Sequence, residues 1–201
     1  MSGPSGHIVL IGMMGAGKTT VGSRLARALD RPFVDSDVQV EQRTARTVRE
    51  IFETDGEAAY RQIESEVLAE ALGSEEPAVI AAAGGTVLDP KNRARMHDCG
   101  TVVFLEAKPA DLVSRVGGQD HRPLLRDDPA GVLRQMDEVR RPLYEATADH
   151  VVDVSSHTPD EVVAETMVAL VLAGESLRKF GGDSVAEFVR NRDAFLASLR
   201  R

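Results

Sequence analysis

Gly12-Met13-Met14-Gly15-Ala16-Gly17-Lys18-Thr19 follows an unbroken apolar run, Ile8-Val9-Leu10-Ile11, and leads into a helical pattern over 18–29 with Val21, Leu25, Ala28 and Leu29 at helical spacing. Strand, glycine-rich turn and helix in that order, with G-x-x-x-x-G-K-[ST] spacing, describe a phosphate-binding loop. Each residue type has its own reason. Glycines let the backbone curl around phosphates with its N–H groups turned inward. The following helix adds the partial positive charge of its N-terminus. Lys18 can reach the β and γ phosphates of ATP, and the Thr19 hydroxyl can ligate Mg2+. Gly15, Ala16, Gly17, Lys18, Thr19 and Thr20 are therefore the candidate nucleotide-binding residues. The plainer alternative, a glycine turn that merely joins a strand to a helix, does not require the lysine and threonine.

The rest of the chain bounds what this loop serves. Its 201 residues make one domain with some surplus, and 42% hydrophobic with 28% charged residues suits a packed core. No apolar run approaches a membrane span, and residues 1–6 read as a flexible leader without signal-sequence design. No membrane partner is expected. The single cysteine, Cys99, excludes an internal disulfide and a cysteine-built zinc site, so a reducing cytoplasm is the expected setting. A net charge of −8 disfavours nucleic acid as a partner. An acidic protein that holds ATP must gather its cations locally. Arginine supplies 20 of the 24 basic residues, so the position of each arginine matters more than the total.

Working outward from the loop, a second strand starts at Pro32-Phe33-Val34 and ends in Asp35-Ser36-Asp37. Ligands of open α/β sheets sit at the carboxyl ends of strands. The two carboxylates can divide the work between a magnesium shell and a substrate hydroxyl, or cap the helix that follows. Thr47-Val48-Arg49-Glu50 has capping-box spacing and opens a helix that Gly56 ends. A helix over 57–72 carries an apolar stripe of Tyr60, Ile63, Val67, Leu68 and Ala71, on which Glu64 intrudes with Arg61 one turn back. That pair is either solvated or turned toward a site. A third strand is expected over 78–83, ended by Gly84-Gly85, followed by a helical stretch around 92–96 and a fourth strand over 101–105. A helix over 109–116 precedes a polar stretch, about 115–129, that contains Gly117-Gly118, His121, Arg122 and Pro123 and reads as a mobile lid. A helix over 130–141 is expected to close at Arg140-Arg141-Pro142, before a fifth strand over 150–154 and a helix over 159–172. Strands alternating with helices imply a three-layer α/β/α fold around a five-stranded parallel sheet. The domain spans 7–173. Residues 174–201 form a helical extension with net charge +2, against −10 for the rest, and its role is open between packing back on the domain and docking a partner.

These pieces, in this order, resemble shikimate kinase, a small phosphate-loop kinase family of aromatic amino-acid biosynthesis with a nucleoside-monophosphate-kinase-like fold. The resemblance covers about 7–172. It rests on the phosphate loop with Asp35-x-Asp37, Tyr60-Arg61-x-x-Glu64, the Gly84-Gly85 strand end, Arg122-Pro123-Leu124-Leu125 and Arg140-x-Pro142-Leu143-Tyr144. It implies strand order 2-3-1-4-5 and ATP-dependent phosphorylation of the shikimate 3-hydroxyl, with Mg2+ as cofactor and a monomer as the working unit. It implies that Lys18, Asp37 and Arg122 are catalytic, Asp37 being the candidate base and Arg122 closing from the lid. Asp37, Arg61, Gly84, Gly85 and Arg140 would bind shikimate, with Glu64 positioning Arg61. Thr19 and Asp35 would attend the metal, Asp35 through water, and Arg115 would lie along the adenine.

Two departures stand out. Ala83 precedes Gly84-Gly85 where the family usually has a third glycine, and Ser155-Ser156-His157 replaces its adenine-side basic residues. Two other readings compete: a related kinase of gluconate or of nucleoside monophosphates, and a kinase-like scaffold that does not catalyse.

Overall fold

The computed structural model describes residues 6–116 and 128–180, with 187, 190 and 191 beyond them. Arg122 and most of the expected lid lie outside the described residues, as does most of the extension.

The sheet is built on β1 (His7–Ile11), in which all five residues are buried. A strand with both faces covered has no polar alternation, which is why its apolar run is continuous. Parallel partners flank it: β3 (Val79–Ala81) on one side, with Val9 opposite Ile80, and β4 (Gly100–Glu106) on the other, with Val9 opposite Val102. The edges are β2 (Phe33–Asp35) and β5 (His150–Asp153), giving the order β2-β3-β1-β4-β5. From β1 the chain crosses toward β2 through α1 (Lys18–Leu29), and from β3 it crosses the opposite way to β4 through α5 (Pro90–Cys99). Right-handed crossovers in opposite directions place these helices on opposite faces. Helix α8 (Pro159–Phe180) packs beside α1, and α7 (Pro129–Thr147) beside α5. The expected three-layer fold and strand order are both present.

At the β2 edge, α2 (Ser36–Thr44), α3 (Val48–Thr54) and α4 (Gly56–Leu72) form a helical annex. It has its own small core of Val40, Ile51, Tyr60 and Val67. The Thr47 capping box is formed in both directions, and Gly56 turns the chain at φ 84°. That left-handed geometry is what lets α4 start immediately after α3.

Several boundaries differ from expectation. The ladder of β3 stops at Ala81: the Ala82 N–H still donates to the Leu10 carbonyl at 3.0 Å, but the Ala83 N–H turns to Ser36 Oγ at 2.8 Å. The helix expected to close before Pro142 continues through it to Thr147. Proline removes one helical hydrogen bond and crowds the preceding turn. Beyond it, however, Tyr144 is fully buried and stacks on Phe104 with centroids 5.0 Å apart, and this packing holds the last turn in place. Helix α8 runs eight residues past its expected end at Leu172, through Gly174. A single glycine costs a helix only about 1 kcal/mol, too little to end it.

Candidate active site

The phosphate loop joins β1 to α1 at the carboxyl end of the sheet. Gly12, at φ 142°, approaches the Leu105 carbonyl so closely that a Cβ there would lie 2.6 Å from it. Gly17 enters α1 at φ 93°, with no side-chain cap on the helix. The first N–H groups of α1 thus face the loop, where an anion can satisfy them. The Lys18 ammonium donates to the carbonyls of Gly12 at 2.8 Å and Met13 at 3.1 Å, which lays the charge along the loop.

Asp35 ends β2 and does two things. Its Oδ1 accepts from the Asp37 N–H at 3.1 Å, capping α2, while its Oδ2 accepts from the Thr19 hydroxyl at 2.6 Å. Asp35 thus caps the helix and also reaches the phosphate loop through Thr19. Thr19 and Asp35 place two hard oxygen donors at the mouth of the loop. Among the described residues there is no group of three or more His, Cys, Asp or Glu able to hold a metal. That donor set fits Mg2+, which takes one or two protein oxygens and completes its shell with phosphate oxygens and water.

Across the cavity, Arg61 on α4 donates to both oxygens of Glu64 at 3.0 Å and to Glu57 at 2.9 Å. Glu64 is 1% exposed while Arg61 is part-exposed on the cavity wall, so the pair is turned inward with its carboxylate buried. Burial lifts its carboxyl above the usual glutamate value; Arg61 opposes this shift without reversing it, and the nearby Asp37 charge adds to it. The guanidinium lies over the rings of Tyr60 and Phe52, 5.3 and 5.9 Å from their centroids. Behind it is Gly85, where a Cβ would come within 1.8 Å of the Arg61 nitrogen. Only glycine admits the arginine in this pose.

Arg140 and Tyr144 sit one turn apart on α7, and both are buried. The Tyr144 hydroxyl donates to the Gly84 carbonyl at 2.6 Å, and burial pushes its pKa up to about 12, so it stays a donor. A Cβ on Gly84 would stand 3.2 Å from the Gly12 carbonyl and 3.7 Å from Arg140. Gly84 thus lies where the phosphate loop, α7 and the strand end meet.

One cavity of about 680 Å³ brings these groups together. Its wall includes Gly15, Gly17, Lys18, Thr19, Thr20, Asp35 and Asp37 on one side. Arg61, Gly84, Gly85, Arg115 and Arg140 complete it. Of the expected residues within the described chain, Ala16 alone is set back from this wall: it is 2% exposed and its N–H bonds the Met13 carbonyl at 3.2 Å. Arg115 ends α6 (Pro109–Val116) and donates to the Val154 carbonyl at 2.9 Å, beside the end of β5. Ala83 does not have positive φ; its N–H donates to Ser36 Oγ at 2.8 Å, so a methyl is accommodated there.

Two residues were given no site role from sequence. Phe52 lines the cavity from α3, and Tyr60 donates its hydroxyl to Asp37 Oδ1 at 2.9 Å. In sequence Tyr60 belongs to an apolar stripe, and nothing in the spacing marks its hydroxyl as useful. Its phenol is pushed far above the usual tyrosine value, first by burial and then by the Asp37 and Glu64 carboxylates.

A parallel sheet of this order, with a phosphate loop opposite paired arginines, defines a phosphate-loop protein of the small-molecule kinase class. The shikimate kinase family model matches residues 14–171. A shikimate kinase of Burkholderia pseudomallei (strain 1710b) is 42% identical over 172 residues, spanning 85% of this chain and 93% of its own. The shikimate kinase from Acinetobacter baumannii, solved in complex with shikimate, superposes with a TM-score of 0.80 at 34% identity, over 84% of this chain and 94% of that one. A gluconokinase from Sinorhizobium meliloti 1021 shares the fold, with a TM-score of 0.59 at 22% identity, over 87% of this chain and 96% of its own. The chain belongs to the shikimate kinase family.

Proposed function

We propose that this protein transfers the γ-phosphoryl group of ATP to the 3-hydroxyl of shikimate, giving shikimate 3-phosphate and ADP for aromatic amino-acid biosynthesis. The observation that carries this reading is the convergence, in one cavity, of the phosphate loop, the Asp37 carboxylate and the cations Arg61 and Arg140. A donor of phosphate needs the first; a polyol bearing a carboxylate needs the other two. The family match supports the same acceptor, whereas the likeness to a gluconokinase supports the fold alone.

In this reading the N–H groups of Gly15, Gly17, Lys18, Thr19 and Thr20 hold the triphosphate, Ala16 shapes the turn from behind, its N–H on the Met13 carbonyl, and Lys18 follows the β and γ phosphates. Thr19 and Asp35 would hold Mg2+, which when bound would supply positive charge to the phosphate oxygens. Arg61, held by Glu64, and Arg140 grip the shikimate carboxylate, while the backbone at Gly84 and Gly85 lies along the ring. Asp37 orients the 3-hydroxyl and accepts its proton as the new P–O bond forms and the bond to ADP breaks. Arg122 closes on the phosphates from the lid. Arg115 follows the adenine from the cavity wall. Most of the acceleration in such a site comes from positioning and electrostatics. The protein acts as a monomer in the cytoplasm. No helix among the described residues is long and apolar enough to cross a membrane.

An ADP-release assay with shikimate, gluconate and nucleoside monophosphates tests the acceptor. Turnover is expected with shikimate alone; turnover of gluconate without shikimate ends this reading. Asp37→Asn is expected to abolish turnover while ATP binding, followed by calorimetry, stays near that of the parent.

A further inference from the structure

Tyr60 is held from three directions. Its ring packs in the annex core with Val40, Ile51 and Val67, and lies 4.6 Å from Phe52 centroid to centroid. Its hydroxyl reaches Asp37 Oδ1 at 2.9 Å, and its face carries the Arg61 guanidinium at 5.3 Å. The side chain is 4% exposed. Such a ring cannot swing its hydroxyl elsewhere without disturbing the packing of three helices. Asp37 is the opposite case: a short carboxylate in the first turn of α2, whose terminal torsion is broad in the absence of a partner.

We infer that Tyr60 is a positioning residue for phosphoryl transfer, fixing the Asp37 carboxylate through its hydroxyl and the Arg61 guanidinium through its ring. The inference rests on the reading of Asp37 as the group that receives the acceptor hydroxyl. An apolar ring at this position fills the same core; the hydroxyl adds the bond to Asp37 and also faces the Glu64 carboxylate that holds Arg61. A buried hydroxyl without a partner is destabilising, so the Tyr60 hydroxyl is tolerated in this core because Asp37 accepts from it. The bond ties the annex core to the reacting end of the acceptor, and cation–π contact ties the same ring to its carboxylate end. A base rotated away from the attacking hydroxyl loses rate much more than it loses binding.

Tyr60→Phe removes the hydroxyl and keeps the ring. The kcat for shikimate is expected to fall by about tenfold, while the KM values for shikimate and ATP stay within about threefold of the parent. Tyr60→Leu, which also removes the ring face under Arg61, is expected to lower kcat similarly and to raise the KM for shikimate in addition. A Tyr60→Phe protein with kcat within twofold of the parent overturns the inference. So does one whose loss lies wholly in KM, or one that melts at much lower temperature with unchanged kcat per folded molecule. Asp37→Asn separates the two levels: if it leaves turnover intact, the reading of Asp37 itself fails; if it abolishes turnover and Tyr60→Phe does not slow it, only the role of Tyr60 fails.

Discussion

At the scale of single residues, the site depends on a few close approaches. Gly85 is the sharpest case, since a methyl there occupies the position of the Arg61 guanidinium. Gly85→Ala is expected to displace Arg61 and raise the KM for shikimate by tenfold or more, with ATP affinity within about twofold, read from steady-state kinetics. Glu64 makes a pH prediction. Its carboxyl is lifted in the folded state above the reference value of 4.5, chiefly by burial. The folded protein therefore binds that proton more tightly than the unfolded chain. The resulting stabilisation is complete below the unfolded value and is lost as pH rises through the folded one. Glu64→Gln removes this dependence. The melting temperature of the variant relative to the parent is expected to become more favourable from about pH 4.5 toward neutrality. A difference that is flat across this range would remove Glu64 as the source. Sequence placed Glu64 on the apolar stripe beside Arg61; only the fold shows that its carboxylate is buried.

At the scale of elements, start signals were legible and ends less so. The capping box at Thr47 and Glu50 and the turn at Gly56 use local hydrogen bonds and backbone angles, and they read directly from residue type. Pro142 misled for the same reason. Its local preference is to end a helix, yet burial of Tyr144 two residues on carries α7 to Thr147. The continuation has a functional consequence, because it keeps Arg140 and Tyr144 one turn apart, one facing the cavity and the other locking Gly84. The end of α2 carries a local strain: Ala45 caps it at φ 53°. That conformation costs an alanine about 1–2 kcal/mol, and glycine returns part of this as lost unfolded-state freedom. Ala45→Gly is expected to stabilise the protein by about 0.5 kcal/mol in urea unfolding, without change in kcat.

At the scale of the whole molecule, the acidic chain resolves its charge problem by convergence. Lys18, Arg61 and Arg140 come from three separate elements and line one cavity. The surrounding carboxylates hold them in place: Glu64 and Glu57 bind Arg61. The extent of the folded unit is testable at α8. Thr166 and Leu170 are buried, and Arg24 on α1 pairs with Asp160 at 2.6 Å. We propose that the kinase domain is complete near the end of α8 and that the following residues are accessory. Truncation after Phe180 is expected to preserve kcat and a cooperative thermal transition. Truncation after Glu165, which removes Thr166 and Leu170 from the core, is expected to give insoluble protein or a melting temperature lower by ten degrees or more.

By itself the sequence determined the phosphate loop and the parallel sheet, because these depend on local chemistry: glycine spacing, apolar continuity, capping and charge. The family resemblance of its motifs pointed to Arg61, Gly84, Gly85, Arg115 and Arg140. Tertiary structure alone decided that Asp35 serves both a helix cap and Thr19, that Glu64 is buried, and that Tyr60 gives its hydroxyl to Asp37. Those facts involve residues brought together from distant parts of the chain, and no spacing along it encodes such a meeting. The loop at Gly12 to Thr19 could be read where it stands. The opposite wall of the cavity exists only where α4 and α7 bring Arg61 and Arg140 to the strand ends.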